Sequence, residues 1–275
     1  MSDLRASDPV NVVFTREEMA LVARLLDRVW LIGHDPDPDG PLSAEQERTA
    51  LLAAERSLRA RELAGVDDQG QLRIRTDVLN ALAIALFADV HLQFVTVTAD
   101  GATRDRLIVR ALGPEAVAQT TPAPALHRFL SLPGREALPR FLAQAALGTP
   151  DLEADDALAF TAPADRLREA RAAADRGDAG GVLAALGREP AETAFAHALV
   201  APHQLTVIHV LAPLAGDQVA KQELTVLRTD QAAWLTSQTE GGPDAPYQVR
   251  TTSTAGLAAL FAAILAPQPR EATGP

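Results

Sequence analysis

ALAIALFADVHLQFVTV, residues Ala81–Val97, changes its period halfway along. Ala81–Ala88 is a run of alanine and leucine, both strong helix formers. Asp89 interrupts it. Val90, Leu92, Phe94 and Thr96 then alternate with His91, Gln93, Val95 and Val97, the two-residue period of a strand. A second stretch, FAHALVAPHQLTVIHVL (Phe195–Leu211), makes the same change. In this overlay Leu86 falls on Leu199, Ala88 on Ala201, Leu92 on Leu205 and Val97 on Val210. The match continues downstream. Leu107 and Val109 fall on Leu224 and Val226, Ala116 and Val117 on Ala233 and Trp234, and Leu138, Leu142 and Ala143 on Leu257, Phe261 and Ala262. The chain therefore reads as two copies of one unit.

Working outward, Thr15 caps a helix with Glu17 and Glu18 in its first turn, where the dipole favours negative charge. Met19, Val22, Leu25 and Leu26 share one face of it. Val29–Ile32 reads as a short strand and His34–Pro41 as a loop. Ser43, with Gln46 in the capping-box position, opens a helix that runs to about Ala64 and is ended by Gly65. Val66–Ile74 is a tight turn, and Thr76 or Asp77 opens the helix that reaches Ala88. Beyond the opening strand come a turn at Asp100–Gly101, a strand Arg106–Leu112, strands Ala116–Thr120 and Leu126–Leu132, and a helix Glu136–Leu147 with Pro139 in its first turn.

Gly148–Asp156 links the halves. The second half has a strand Ala157–Thr161, helices Pro163–Asp175, Val182–Leu186 and Ala191–Ala201, and strands Gln204–Leu211, Gln222–Thr229, Gln231–Ser237 and Tyr247–Thr252. A helix Thr254–Leu265 closes it. Short turns between the strands favour antiparallel pairing. The expected class is α+β: a single domain over residues 1–275 built from two quasi-symmetric halves, 10–148 and 155–266, sharing a central antiparallel β-sheet flanked by helices. Residues 267–275 are expected to form a disordered tail.

Composition narrows the function. The 275 residues include no cysteine, so disulfides and thiolate chemistry are excluded. A net charge of −11 argues against nucleic acid, whose phosphates need a basic surface. No apolar run approaches the ~20 residues that span a bilayer. Met1–Pro9 is polar, unlike a signal peptide. The cytoplasm is the expected location.

Motifs for chemistry are sparse. His34, Asp35, Asp37 and Asp39 could together bind a hard cation, the aspartates through oxygen, but two prolines interrupt them and the glutamate of a calcium loop is missing. His203 and His209 lie an even number of residues apart on one strand, too few ligands for zinc by themselves. Ser57, Ser131, Ser237 and Ser253 lack a nucleophile elbow. GDAGG (Gly177–Gly181) lacks the lysine of a phosphate loop, and Asp67–Asp68 and Asp155–Asp156 sit in turns. No catalytic residue, metal or cofactor is expected. The alternative is an enzyme or small-ligand-binding protein with a site between the halves, where His91, His203 and His209 are the first residues to inspect. A third is self-association through sheet edges.

One resemblance goes further. The helix end ERSLRARELAG (Glu55–Gly65), the turn VDDQGQL (Val66–Leu72), a second helix and the strand VHLQFVTV (Val90–Val97) follow TREEMALVARLL (Thr15–Leu26) and VWLI (Val29–Ile32). ELTVLRTDQAAWLTS (Glu223–Ser237), YQVRTTS (Tyr247–Ser253) and an apolar helix close the chain. This order resembles EspG proteins, cytosolic chaperones of type VII secretion, over nearly the whole chain. The resemblance implies two quasi-symmetric α/β halves around a central antiparallel sheet, and binding without catalysis. It implies a helical client of PE/PPE kind, held at its apolar tip by a loop of the central sheet and part of the C-terminal helical bundle. The corresponding loop is Ala99–Asp105, with Asp100, Arg104 and Asp105 as its polar contacts.

Overall fold

Thr15 and Ser43 each open a helix with a reciprocal cap. The Thr15 hydroxyl accepts from the Glu18 N–H at 3.3 Å, and the Glu18 carboxylate accepts from the Thr15 N–H at 2.9 Å. Ser43 and Gln46 repeat this at 3.3 and 2.9 Å. Two otherwise orphaned donors are satisfied at each helix start. The computed structural model describes residues 10–27, 42–99, 101, 103–123, 125–132, 134, 136–149, 151–153, 158–213, 219–238, 242 and 244–266, with backbone alone at 104–106, 212–213 and 219–220. The strand expected at Val29–Ile32, the loop His34–Pro41 and the tail from residue 267 lie outside the described residues.

The elements run β1 (Asn11–Thr15), α1 (Arg16–Leu25), α2 (Ala44–Ala60), β2 (Ala64–Val66), β3 (Leu72–Ile74), α3 (Thr76–Phe87), β4 (Val90–Thr98), β5 (Thr103–Leu112), β6 (Glu115–Ala123), β7 (Leu126–Ser131) and α4 (Leu138–Leu147). Then come β8 (Ala159–Ala162), α5 (Ala164–Asp175), α6 (Ala179–Leu186), α7 (Pro190–Val200), β9 (Gln204–Pro213), β10 (Val219–Arg228), β11 (Ala233–Gln238), β12 (Tyr247–Thr252) and α8 (Thr254–Leu265). Apart from the small β2–β3 hairpin, the order strand, three helices, four strands, helix occurs twice. Ten strands form one sheet in the order β1-β7-β6-β5-β4-β9-β10-β11-β12-β8. From either end, the order is the first strand of a run followed by its last, so the sequence of strands is palindromic. The molecule is α+β, with a large central antiparallel sheet flanked by helices.

By contact the chain forms two compact units, Met1–His91 with Leu107–Gly134, and Leu92–Arg106 with Arg135–Pro275. In the first, helices α1 to α3 cover one face of the strands. Phe14, Met19, Val22, Leu58, Leu82, Val117 and Phe129 make its core. Phe14 and Phe129 meet edge to face at 5.7 Å, a geometry that suits the ring quadrupoles. Register puts Arg110 beside Val117, and Gln119 beside Phe129, on that same buried face. Arg110 is fully buried and donates to the Gln119 carbonyl, whose amide lies 3.0 Å from His127 Nδ1. Burial alone pulls the Arg110 guanidinium down to about 10.

In the second unit, α5 to α7 cover one sheet face. Phe195 lies 5.7 Å from Phe160 and 5.4 Å from Trp234, both edge to face. Helices α4 and α8 pack together on the opposite face. There Phe94 meets Phe261 at 6.0 Å, and the Ala146 carbonyl accepts from Thr206 Oγ1 at 2.9 Å and Gln204 Nε2 at 3.1 Å. Gly148 ends α4 with φ +64°, and a Cβ there would lie 2.2 Å from Gln204 Oε1. Gly148→Ala is therefore expected to cost about 1–2 kcal/mol for its left-handed backbone alone, with more if Gln204 gives up its bond. Thermal unfolding of the variant checks this.

Several sequence expectations change here. Val12 and Phe14 alternate inward in β1, a strand that precedes the Thr15 cap and that the sequence expectations do not include. Leu25, expected on the buried face of α1, is 49% exposed. Helix α2 stops at Ala60, because Glu62 takes φ +58°; Gly65 lies in β2, and the expected tight turn is a two-stranded hairpin. Pro122 lies inside β6, where the pairing with β7 shifts register between Thr120 and Ala123. The overlay of β4 on β9 is out of phase. Thr96 and Thr206 share a face, their hydroxyls 3.2 Å apart. Alternation then puts Leu92 with Phe94 and Phe261 on the α8 face, whereas Leu205 packs with the α5–α7 core. A one-residue change of register swaps every side chain between faces.

Candidate functional site

The β4–β5 turn is built by glycine. Gly101 takes φ +74° and donates to the Thr98 carbonyl at 2.8 Å. Ala99 N–H donates to the His203 carbonyl at 3.2 Å, which ties this turn to the entry of β9. His203 N–H in turn donates to the Arg228 carbonyl at 2.8 Å. The β10–β11 turn is held by Thr229, whose hydroxyl accepts from Gln231 N–H at 3.3 Å and Ala232 N–H at 3.1 Å. These two turns, the C-terminal end of α7, and the ends of α5, β8 and β12 enclose an open groove of about 990 Å³.

Its walls are mixed. Trp234 is buried beneath it, and Ala194 and Ala198 of α7 present small side chains. Leu158 and Val200 stand 38% and 36% exposed at the margin. The polar rim is Asp175, His197, and the pair His203 Nδ1–Asp230 Oδ1 at 3.0 Å. That pair is solvent-exposed, so it contributes little to stability. A shallow surface of apolar patches and rim charges suits a protein partner better than an enclosed small molecule.

The sequence-derived residues are only partly gathered here. Asp100 lies outside the described residues, between Ala99 and Gly101 of the groove. Arg104 and Asp105 fall on the first half of β5, and their side chains lie outside the described residues. His203 lines the groove. His209 is half-buried farther along β9, opposite Glu223, with Nδ1 3.4 Å from its carboxylate. His91 is buried in the other unit, where burial first and Arg110 second hold its imidazole down at about 4. Of the three histidines, His203 alone lines the groove.

Other candidates resolve into structure. No group of three or more histidine, aspartate or glutamate residues able to hold a metal occurs among the described residues. Asp178 of GDAGG caps α6, accepting from Gly181 N–H at 2.8 Å, so a carboxylate already occupies the place an anion would take. Asp67 accepts from Gln69 and Gln71 N–H and from Arg73, at 3.0, 2.9 and 2.8 Å. The Gln71 bond leads in holding its carboxyl below the usual range. His34, Asp35, Asp37, Asp39, Asp155 and Asp156 lie outside the described residues. No described helix is long and apolar enough to cross a membrane. Sequence reasoning missed Pro202, the Thr229–Ala232 turn and Trp234 as groove residues. The pattern placed Thr229, Gln231, Ala232 and Trp234 in strands, where the structure has a turn at Thr229–Ala232, and carried no sign that they converge.

No family model and no curated protein matches the sequence. The fold, however, is similar to that of the Mycobacterium tuberculosis type VII secretion system chaperone EspG5, solved in complex with a PE25–PPE41 dimer. The TM-score is 0.60 at 12% sequence identity, over 91% of this chain and 94% of that one. At such identity the likeness establishes an EspG-like fold.

Proposed function

We propose that this protein is a non-enzymatic cytoplasmic chaperone or adaptor that holds a secreted helical client, of PE/PPE type, for a type VII secretion machine. The observation that carries the reading is the composition of the groove. The β4–β5 turn and the ends of α5 and α7 form one open surface, and it is this pair of features, a sheet loop and the C-terminal helices, that the resemblance implies for client contact. The EspG-like fold and the solved complex of EspG5 with PE25–PPE41 support it. Leu158 and Val200 supply apolar contact, while Asp100 of the β4–β5 turn and Arg104 and Asp105 at the start of β5 supply polar contact. The doubled element order fits duplication of one ancestral unit.

The test is affinity capture of the full chain from its native cytosol, followed by titration of the captured protein. Val200→Asp puts a charge on an exposed helix end, where it disturbs no core. It is expected to weaken the captured client at least tenfold, about 1.4 kcal/mol. A charge reversal at the start of β5, Arg104→Glu, is expected to weaken it further. Capture of a small metabolite in place of a protein, or a client indifferent to both substitutions, sinks the reading.

A further inference from the structure

The two end strands of the sheet differ in what their outer edges offer. In β1, Ser131 N–H donates to the Val10 carbonyl at 2.9 Å, which makes the residues two and four further on, Val12 and Phe14, the ones bonded to β7. Asn11, Val13 and Thr15 therefore face outward. That edge is largely closed by side chains: Arg61 donates to the Val13 carbonyl, and Glu18 takes the Thr15 N–H at 2.9 Å. Such plugging is how native sheets prevent strand addition.

Among the described residues, no side chain plugs the β8 edge. Thr251 N–H donates to the Leu158 carbonyl at 2.9 Å, and the register then makes Phe160 and Ala162 the residues bonded to β12. Ala159 and Thr161 turn their N–H and C=O outward. Both residues are exposed. Leu158, immediately before this edge and 38% exposed, also lines the groove, as does Thr251 opposite it. The edge is thus continuous with the groove.

We propose that β8 takes an added strand, an extended segment of the protein partner seated in the groove; this rests on the client-binding reading above. Ala159 and Thr161 offer four backbone bonds. Their side chains share a face with exposed Arg250, which is in register with Ala159, so a carboxylate in the added strand is complemented on that side. Leu158 and half-buried Phe160 line the other face, which suits aliphatic or aromatic residues at alternate positions. The partner segment is therefore short, extended, apolar on one face and acidic on the other. The edge alone is far smaller than the roughly 1,200 Å² of a stable dimer interface, which favours a segment over a second copy.

The experiment uses the full chain, immobilised, and a phage-displayed library of random heptapeptides. The expected winners alternate apolar and acidic residues and slow hydrogen exchange at the Ala159 and Thr161 amides. Thr161→Pro removes a donor that has no partner among the described residues and blocks the edge; Thr161→Val keeps the donor. Binding is expected to fall at least tenfold in the proline variant and to persist in the valine variant, with unchanged circular dichroism for both. Peptides that bind the two variants equally overturn the inference, as does protection of the two amides that rises with protein concentration and no peptide, which assigns the edge to a second copy. Val200→Asp separates the two readings. Peptide binding that survives it while the captured client is lost supports both. A client bound equally by wild type and Thr161→Pro, and lost with Val200→Asp, removes the strand and leaves the groove.

Discussion

Arg61→Ala is expected to lower stability by about 3 kcal/mol and to raise the average mass in solution. Glu18 is fully buried, and both its oxygens accept from Arg61 Nη1, at 3.0 and 2.9 Å. Removing Arg61 leaves that carboxylate buried with the Thr15 N–H but without its cation, and a buried charge without its partner is costly. The estimate sits at the low end of the range because Arg61 is itself 39% exposed, so water can reach the gap. The second effect follows from the Val13 carbonyl, which loses its Arg61 donor and reopens the β1 edge. Denaturant unfolding at neutral pH reads the first effect, and light scattering the second. Glu18→Gln with Arg61→Met removes both charges while glutamine keeps the capping position, so the pair is expected to recover much of the stability without closing the edge. A single Arg61→Ala variant that unfolds with the wild type and stays at wild-type mass contradicts the assignment.

Acid is expected to destabilise the protein through His91 by up to about 3 kcal/mol. The imidazole is held at about 4 in the folded state, from an ordinary value of 6.5. Its Nδ1 is buried with no hydrogen-bond partner to favour the charged form. Above pH 6.5 both states are neutral and the contribution to stability is fully present. As pH falls from 6.5 towards 4, the unfolded chain takes up a proton that the folded one refuses, so stability declines; below 4 both are protonated and the loss levels off. His91→Gln is expected to flatten this segment of the stability–pH curve relative to wild type. Unfolding free energies measured at half-unit steps from pH 7.5 to 4 check it, with the other titrating groups common to both proteins. Parallel curves for the two proteins refute the role given to His91.

How much was legible in the sequence follows the range of the interaction responsible. The Thr15 and Ser43 caps were readable because donor and acceptor are three residues apart. The helix starting at Thr76 and the strand after Asp89 were readable because their apolar periods differ. Register was not. The overlay of Leu92 on Leu205 matched chemistry and missed the face, because Leu and Val repeat along both strands and only the helices packed above them distinguish inward from outward. The site was less legible still. Asp100–Gly101 was readable as a turn, but His203, Thr229–Ala232 and Trp234 reach the same groove from separate elements, and no spacing encodes their meeting.

The sequence by itself determined most element types and the order of helices, four strands and helix in each half, since these depend on local period, caps and glycine turns; the leading strand β1, which completes the doubled order, came only from the structure. It determined the absence of thiol chemistry and the acidic surface, which are matters of composition. The tertiary structure decided which residues face each other. It put β4 beside β9, buried Arg110 with Gln119 and His127, and closed one sheet edge with Glu18 and Arg61 while leaving Ala159 and Thr161 open among the described residues. Those outcomes depend on contacts between residues tens of positions apart, where burial and hydrogen-bond geometry, and not local preference, choose the partner.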